Sequence, residues 1–331
     1  MTAVLVLTVL LSSCGGPPQA VGLLIKAPAV IEAVPSFHSD NDSCEACHES
    51  IYAAWRTSRH AEAWRSETFR ITSENYALSE CLACHAPDLI LRSGVGNKPA
   101  LRADSREGGV TCIVCHQDAT ADEWKMHGPY EVDSPGHDSV ANTDYVTSEV
   151  CASCHGHDAE FNQYHAWESG PYGQMGFACH GCHMPQSEAL LAEEYPEFPR
   201  RSVGDHSFPG AHSDELVSTA TKLTVTIDEA AISVSIENQA GHDFPGGAYR
   251  TAVLTVTSGE VSIGQARFSY EGGTRIPSGE TATTRFVLPT TLPRGTAEIT
   301  LRFHRIKASP DGQSVVFDED GALIAAKTVT F

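Results

Sequence analysis

The chain has 331 residues, 41% of them hydrophobic and 19% charged, which is room for two domains of ordinary soluble composition. A net charge of −20, from 22 Lys plus Arg against 42 Asp plus Glu, repels nucleic acid and anionic membrane surfaces and either steers in a basic protein or simply keeps an acidic surface soluble. The charge is uneven: residues 41–219 carry 11 basic and 28 acidic groups, a net of −17, whereas 220–331 carry 10 and 12, a net of −2.

Residues 1–13, MTAVLVLTVLLSS, are apolar and uncharged and too short to span a bilayer, so they read as a signal-peptide core. Leu11-Ser12-Ser13-Cys14 resembles the lipobox of bacterial lipoproteins, which makes Cys14 a lipid anchor and the only tie to a membrane. By the same resemblance, Gly15 after the cysteine implies the outer membrane. No Lys or Arg precedes the apolar run, which departs from the usual pattern. Residues 14–40 hold Pro17, Pro18, Pro28 and Pro35 and read as a tether, since proline at that density interrupts any regular element.

Residues 41–219 contain five copies of C-x-x-C-H: Cys44/Cys47/His48, Cys81/Cys84/His85, Cys112/Cys115/His116, Cys151/Cys154/His155 and Cys179/Cys182/His183. In a helical turn the two thiols lie on one face and can each bond one vinyl group of a haem, while the histidine turns onto the iron. Each copy therefore predicts one covalent haem c with a proximal histidine. The copies use ten of the eleven cysteines. Neither a disulfide framework nor a zinc fold would set a histidine after every second cysteine.

The motif starts are 37, 31, 39 and 28 residues apart, which is no tandem repeat. So few residues per haem leave little apolar side-chain surface, so the porphyrins must supply most of the interior. Helices are predicted after the first motif, through Ile51, Trp55 and 61–64, and near 161–167. The remainder reads as loops and short helices. From Thr221 the pattern changes to alternation, at 223–227, 232–236, 252–256, 285–288, 299–303 and 326–331, with turn signals at 271–273 and 311–312. The fold class is α+β: a mostly helical and loop multihaem domain at 41–219, then an antiparallel β-sandwich of immunoglobulin-like type at 220–331.

The sixth iron ligand decides the chemistry. Beyond Met1 only Met126, Met175 and Met184 exist, whereas eleven of the sixteen histidines remain after the five proximal ones. Bis-histidine ligation is the default. His60 lies twelve residues beyond His48, about 18 Å along a helix, too far for the same iron, so it must serve a neighbouring haem. His127, eleven after His116, reads the same way. His206 and His212 lie in a Gly/Pro loop that can fold back, and His242 in a glycine-rich turn that can aim out of the sandwich. His60, His127, His206, His212 and His242 are thus the predicted distal ligands, with His137 and His165 in reserve. A solvated histidine, or one bonded to a haem propionate, is the alternative at each. His38, His157, His180 and His304 read as solvated or as outer contacts, and Trp55, Trp64, Trp124 and Trp167 as haem-packing side chains.

With these residues in place the chain resembles the multihaem cytochromes of the cytochrome c-554 type. The likeness rests on Cys44–His48 followed by Tyr52, Trp55, Ser58 and His60, on Gly109-Val110-Thr111-Cys112, and on Trp167–Tyr172 leading to Cys182-His183-Met184-Pro185. It also takes in His206–His212 and the turn at 241–247. It covers about 41–250, implies electron carriage through closely packed haems, and supports His60 and His242 as ligands. That family has four haems where this chain has five motifs, and the sandwich is an addition. The expectation is an electron carrier of the cell envelope, periplasmic or outer-membrane, with redox proteins as partners. The alternative is a reductase of a small nitrogen or sulfur oxide at one haem with an open face. Pentahaem nitrite reductases usually carry lysine in the catalytic motif, whereas all five motifs here end in histidine.

Overall fold

The computed structural model describes residues 42–118, 125–133, 136–157 and 163–331. The predicted signal segment, Cys14, the tether, His38, Trp124 and Phe161 lie outside the described residues. Among the described residues no helix is long and apolar enough to cross a membrane.

The fold is α+β, as expected. Up to Thr219 it consists of short helices joined by turns, with two small sheets: β1 (Lys125–Gly128) parallel to β2 (Asp138–Ala141), and β3 (Gln186–Ala189) antiparallel to β4 (Arg201–Gly204). The helix after the first motif, Glu49–Arg56, places Tyr52 and Trp55 on one buried face. It stops at Thr57, and residues 58–65 continue as turns rather than as the predicted helix. Ser58 explains the stop: it is fully buried, and its hydroxyl accepts from the Ala61 amide at 3.2 Å, a local bond that competes with the helical ladder. A new helix, Glu67–Thr72, begins where the Ser66 hydroxyl accepts from the Phe69 amide at 3.4 Å.

Eight antiparallel strands follow: β5 (Thr221–Ile227), β6 (Ala231–Asn238), β7 (Arg250–Ser258), β8 (Val261–Ser269), β9 (Thr281–Val287), β10 (Thr296–Ala308), β11 (Val315–Phe317) and β12 (Ala322–Thr330). One sheet runs β5-β6-β9. The other runs β11-β10-β7-β8, with β12 also on β10. The alternation predicted six of these strands but missed β8 and the three-residue β11. A bulge opposite Val256/Thr257 inserts a residue in β8, so its apolar positions change phase between Ile263 and Ala266.

Apolar burial is as uneven as the charge. One cluster of nineteen buried residues, including Ile232, Ile236, Leu254, Ile299 and Leu301, fills the space between the two sheets. Before Val217 the clusters are small: Trp64, Phe69, Cys81, Leu82 and Ala86 in one, and Tyr52, Trp55 and Ala61 in another. The strand region thus has a core of its own, and the motif region has little besides what a cofactor would add.

Candidate haem-binding site

Each motif closes a turn. In the first, the His48 amide donates to Cys44 O at 2.9 Å. The others lie in or beside the helices Ser79–His85, Cys112–His116, Glu149–His155 and His180–His183. This geometry puts the two cysteines of each motif on one side of the turn and the histidine at its end.

At Cys47 the structure departs from the regular helical turn expected of the motif. The helix Asp42–Glu45 ends before this residue, and Cys47 stands half-buried in the turn between it and the helix Glu49–Arg56. The break comes at His48, whose φ of −110° and ψ of 48° are not helical, so the Cys47 carbonyl has no amide of its own helix to receive. It accepts instead from the Glu193 amide at 2.9 Å, while the Cys47 amide still donates to Cys44 O at 3.2 Å. Only the first half of this motif is helical, and the segment around Glu193 holds the second half in place.

The proximal imidazoles are held from behind. Nδ1 of His48 lies 2.5 Å from Leu191 O, that of His85 2.7 Å from Ala63 O, that of His116 2.7 Å from His127 O and that of His183 2.6 Å from Pro209 O. His155 is hydrogen-bonded to the Gln163 side chain. A carbonyl can only accept, so Nδ1 carries the proton in those four rings and Nε2 presents a lone pair. This is the arrangement that orients a metal-binding histidine.

Four proximal rings each face a second imidazole. The ring centres of His48 and His137 are 6.1 Å apart, those of His116 and His206 6.2 Å, those of His155 and His60 6.3 Å, and those of His183 and His242 6.3 Å. Two histidines bound through Nε2 on opposite sides of one metal, at about 2 Å each, would have ring centres about 6 Å apart. The fifth proximal ring, His85, lies flat on Phe69 at 3.6 Å and 4°.

The second imidazoles are positioned by the tertiary fold. His60 sits in the turn after the helix Glu49–Arg56, and Gly109 presses on that turn from another segment. A Cβ on Gly109 would lie 2.5 Å from His60 O, and its φ of +65° favours glycine as well. The Val110 amide then donates to His60 O at 2.9 Å, and Phe208 packs edge-on against the ring at 4.4 Å. His206 is fixed by Nδ1 to Gly204 O at 2.8 Å and His242 by Nδ1 to Asp243 O at 3.0 Å. The turn that carries His242 is tied down by buried Asn238, whose amide donates to His242 O and Ile276 O, both at 2.8 Å.

Two predicted distal residues stand elsewhere. His127 has Nε2 3.1 Å from Asp118 Oδ2, so a carboxylate takes the nitrogen that a metal would need; its backbone carbonyl, not its ring, serves His116. The ring opposite His48 belongs instead to His137, held in reserve by the sequence reading. His212 is half-buried near Arg59, Arg305 and Arg250, and its ring forms no pair with a proximal histidine. Of the others, His165 lies 3.3 Å from Glu168, and His304 Nδ1 lies 2.8 Å from Asp318 O. Trp55 donates to Val110 O, Trp64 stacks on Tyr76 and Trp167 donates to Phe177 O.

Burial, and secondarily the neighbouring His155, pushes the His60 imidazole down to about 3. Burial likewise lowers His242 to about 4, and burial with His206 lowers His116 to about 4. His155, His206 and His137 shift the same way, first through burial. At neutral pH these rings are uncharged, the form that binds a metal.

The motifs also touch one another. Side chains meet between Cys44 and Cys112, between Cys84 and Cys154, and between Cys151 and Cys179. In the first motif it is Cys44 that meets the third. The Cys179 amide donates to the Ser148 hydroxyl at 3.0 Å, beside the start of the fourth motif. The fourth motif contacts the second through one cysteine and the fifth through the other.

The residues fit a covalently attached haem: paired thiols, a neutral imidazole turned towards them, and a second imidazole opposite. Two buried polar atoms beside the motifs, Thr111 Oγ1 and His180 Nδ1, have no hydrogen-bond partner among the described residues, as expected where a polar group of a cofactor would lie.

Residues 43–117 match the family model described as cytochrome c554 and c-prime. No curated protein matches the chain. Among solved structures, a penta-heme cytochrome c552 from Thermochromatium tepidum is similar in fold, with a TM-score of 0.60 and 20% identity, covering 88% of this chain and 98% of its own.

Proposed function

We propose that this multihaem c-type cytochrome binds five haems and carries single electrons within the bacterial cell envelope, held there by a lipid on Cys14. The observation that carries the reading is the set of four imidazole pairs at 6.1–6.3 Å, each made of one motif histidine and one histidine distant in sequence. Bound haem supplies an iron that accepts and releases one electron. The chain supplies the rest. His48 with His137, His116 with His206, His155 with His60 and His183 with His242 would hold a bound haem from both sides, which would leave no open site for substrate at those irons and lower their potentials relative to histidine–methionine ligation.

Cys44 against Cys112, Cys84 against Cys154 and Cys151 against Cys179 keep successive attachment points together. In this reading the fourth motif is a junction, with the second and fifth on either side. The net −17 of residues 41–219 favours docking of a basic redox protein, at a rate that falls with salt.

The test is mass spectrometry and EPR of the oxidised, matured protein. Five haem additions with low-spin iron at the four paired sites are expected. Fewer than four additions, or high-spin iron dominating the spectrum, would overturn the reading.

A further inference from the structure

Arg250 and Arg305 stand directly opposite each other in the β7–β10 pair. Like charges in facing positions oppose strand pairing. Arg305 is compensated: its Nη2 lies 2.6 Å from Asp214 Oδ1, its Nε donates to Ala211 O, and its guanidinium lies 5.5 Å from the centre of the Phe303 ring. Arg250 is not. Among the described residues its guanidinium has no hydrogen bond, ion pair or aromatic partner, and nothing acts on it to favour its charge. Nearby acids are committed elsewhere: Asp214 to Arg305, and Asp243 to Arg275 at 2.9 Å.

Arg250 is half-buried, and burial followed by Arg305 lowers its pKa. Nη1 lies 3.4 Å from where a Cβ on Gly246 would stand, so the side chain runs back over the turn that carries His242. Arg250 also acts electrostatically on His242 and on His155, which places it at the junction of the fourth and fifth motifs. A guanidinium taken even partly out of water without an anion is costly, and its planar fork suits a carboxylate. The bound haems bring carboxylates to this part of the fold, and the chain supplies none to Arg250.

From these contacts we infer that Arg250 is a haem-binding residue, forming an ion pair with a propionate carboxylate at the junction of the fourth and fifth motifs. The inference rests on the haem-carrying reading above. It gives β7 a role in the cofactor site beyond the His242 turn. A cation on the propionate also offsets negative charge close to an iron, which favours the reduced state of that centre.

The test is a potentiometric titration of matured wild-type, Arg250→Gln and Arg250→Lys proteins, followed by optical and EPR spectra. Arg250→Gln with all haems retained is expected to make one-electron reduction at one junction centre about tenfold less favourable, a shift of about 59 mV to lower potential. Arg250→Lys, which keeps the charge, should recover most of that shift. Unchanged equilibria at every centre of fully loaded Arg250→Gln would overturn the inference. If Arg250→Gln does not mature, the structure of haem-loaded wild-type protein decides. A propionate oxygen within hydrogen-bond distance of the Arg250 guanidinium supports the ion pair, and a chain carboxylate in that place overturns it. A protein lacking haem at the fourth and fifth motifs would instead refute the haem-carrying reading itself.

Discussion

The His242 imidazole lies parallel to that of His183 within 7°, with ring centres 6.3 Å apart. One ring closes the fifth motif, and the other stands in the turn between two strands of the sandwich region. The two parts of the chain therefore meet at what reads as a single metal position, and a haem held by the fifth motif would depend on both.

That dependence can be measured. His242→Ala leaves Cys179, Cys182 and His183 in place, so the haem count by mass should not change. One of the five irons should become high-spin, seen as a new EPR signal and a matching loss of low-spin intensity.

His137 and His127 provide a discriminating pair. His137→Ala should produce the same high-spin signature at the first motif. His127→Ala should not, because that ring meets Asp118 while its backbone carbonyl, which the substitution keeps, receives the His116 proton. The reverse result would restore His127 as the ligand.

Asn238 is 1% exposed and makes three hydrogen bonds, two from its amide and one to its oxygen from the Ala240 amide. Asn238→Ala removes all three; Ile276 O keeps the Phe244 amide at 2.9 Å, whereas His242 O and the Ala240 amide lose their partners, which should cost about 1–3 kcal/mol in chemical denaturation. Because His242 O is one of those groups, the low-spin signal of the fifth haem should broaden as well.

Gly109→Ala places a methyl group 2.5 Å from His60 O at a φ of +65°. The backbone strain alone is about 1–3 kcal/mol. A lower thermal midpoint is expected, with altered EPR g-values at the iron that His60 faces, the one at His155.

Withholding the haem maturation machinery tests where the interior comes from. The nineteen-residue cluster between the sheets should keep the strand region folded, with its β signal in circular dichroism intact. Residues 42–216, whose apolar clusters are small, should become protease-sensitive.

The amino-acid order alone determined the five attachment motifs, the excess of histidine over methionine and most of the later strands, since all of these are local. Five residues in one turn settle where a thiol and an imidazole point, and a period of two settles which side of a strand is apolar. The break in the first motif at His48 was not legible, because the amide that donates to the Cys47 carbonyl comes from Glu193, far along the chain. Nor was the bulge that turns β8 out of phase, which shows only against the partner strand. The choice of His137 over His127 was hidden too. His127 lies on β1 and His137 just before β2, both close behind the third motif, and only the tertiary structure shows that the His127 ring meets Asp118 while the His137 ring faces His48. The pairing of His60 with His155 likewise needed Gly109 and Phe208 brought in from elsewhere. Which imidazole opposes which is a matter of long-range packing, and only the tertiary structure decided it.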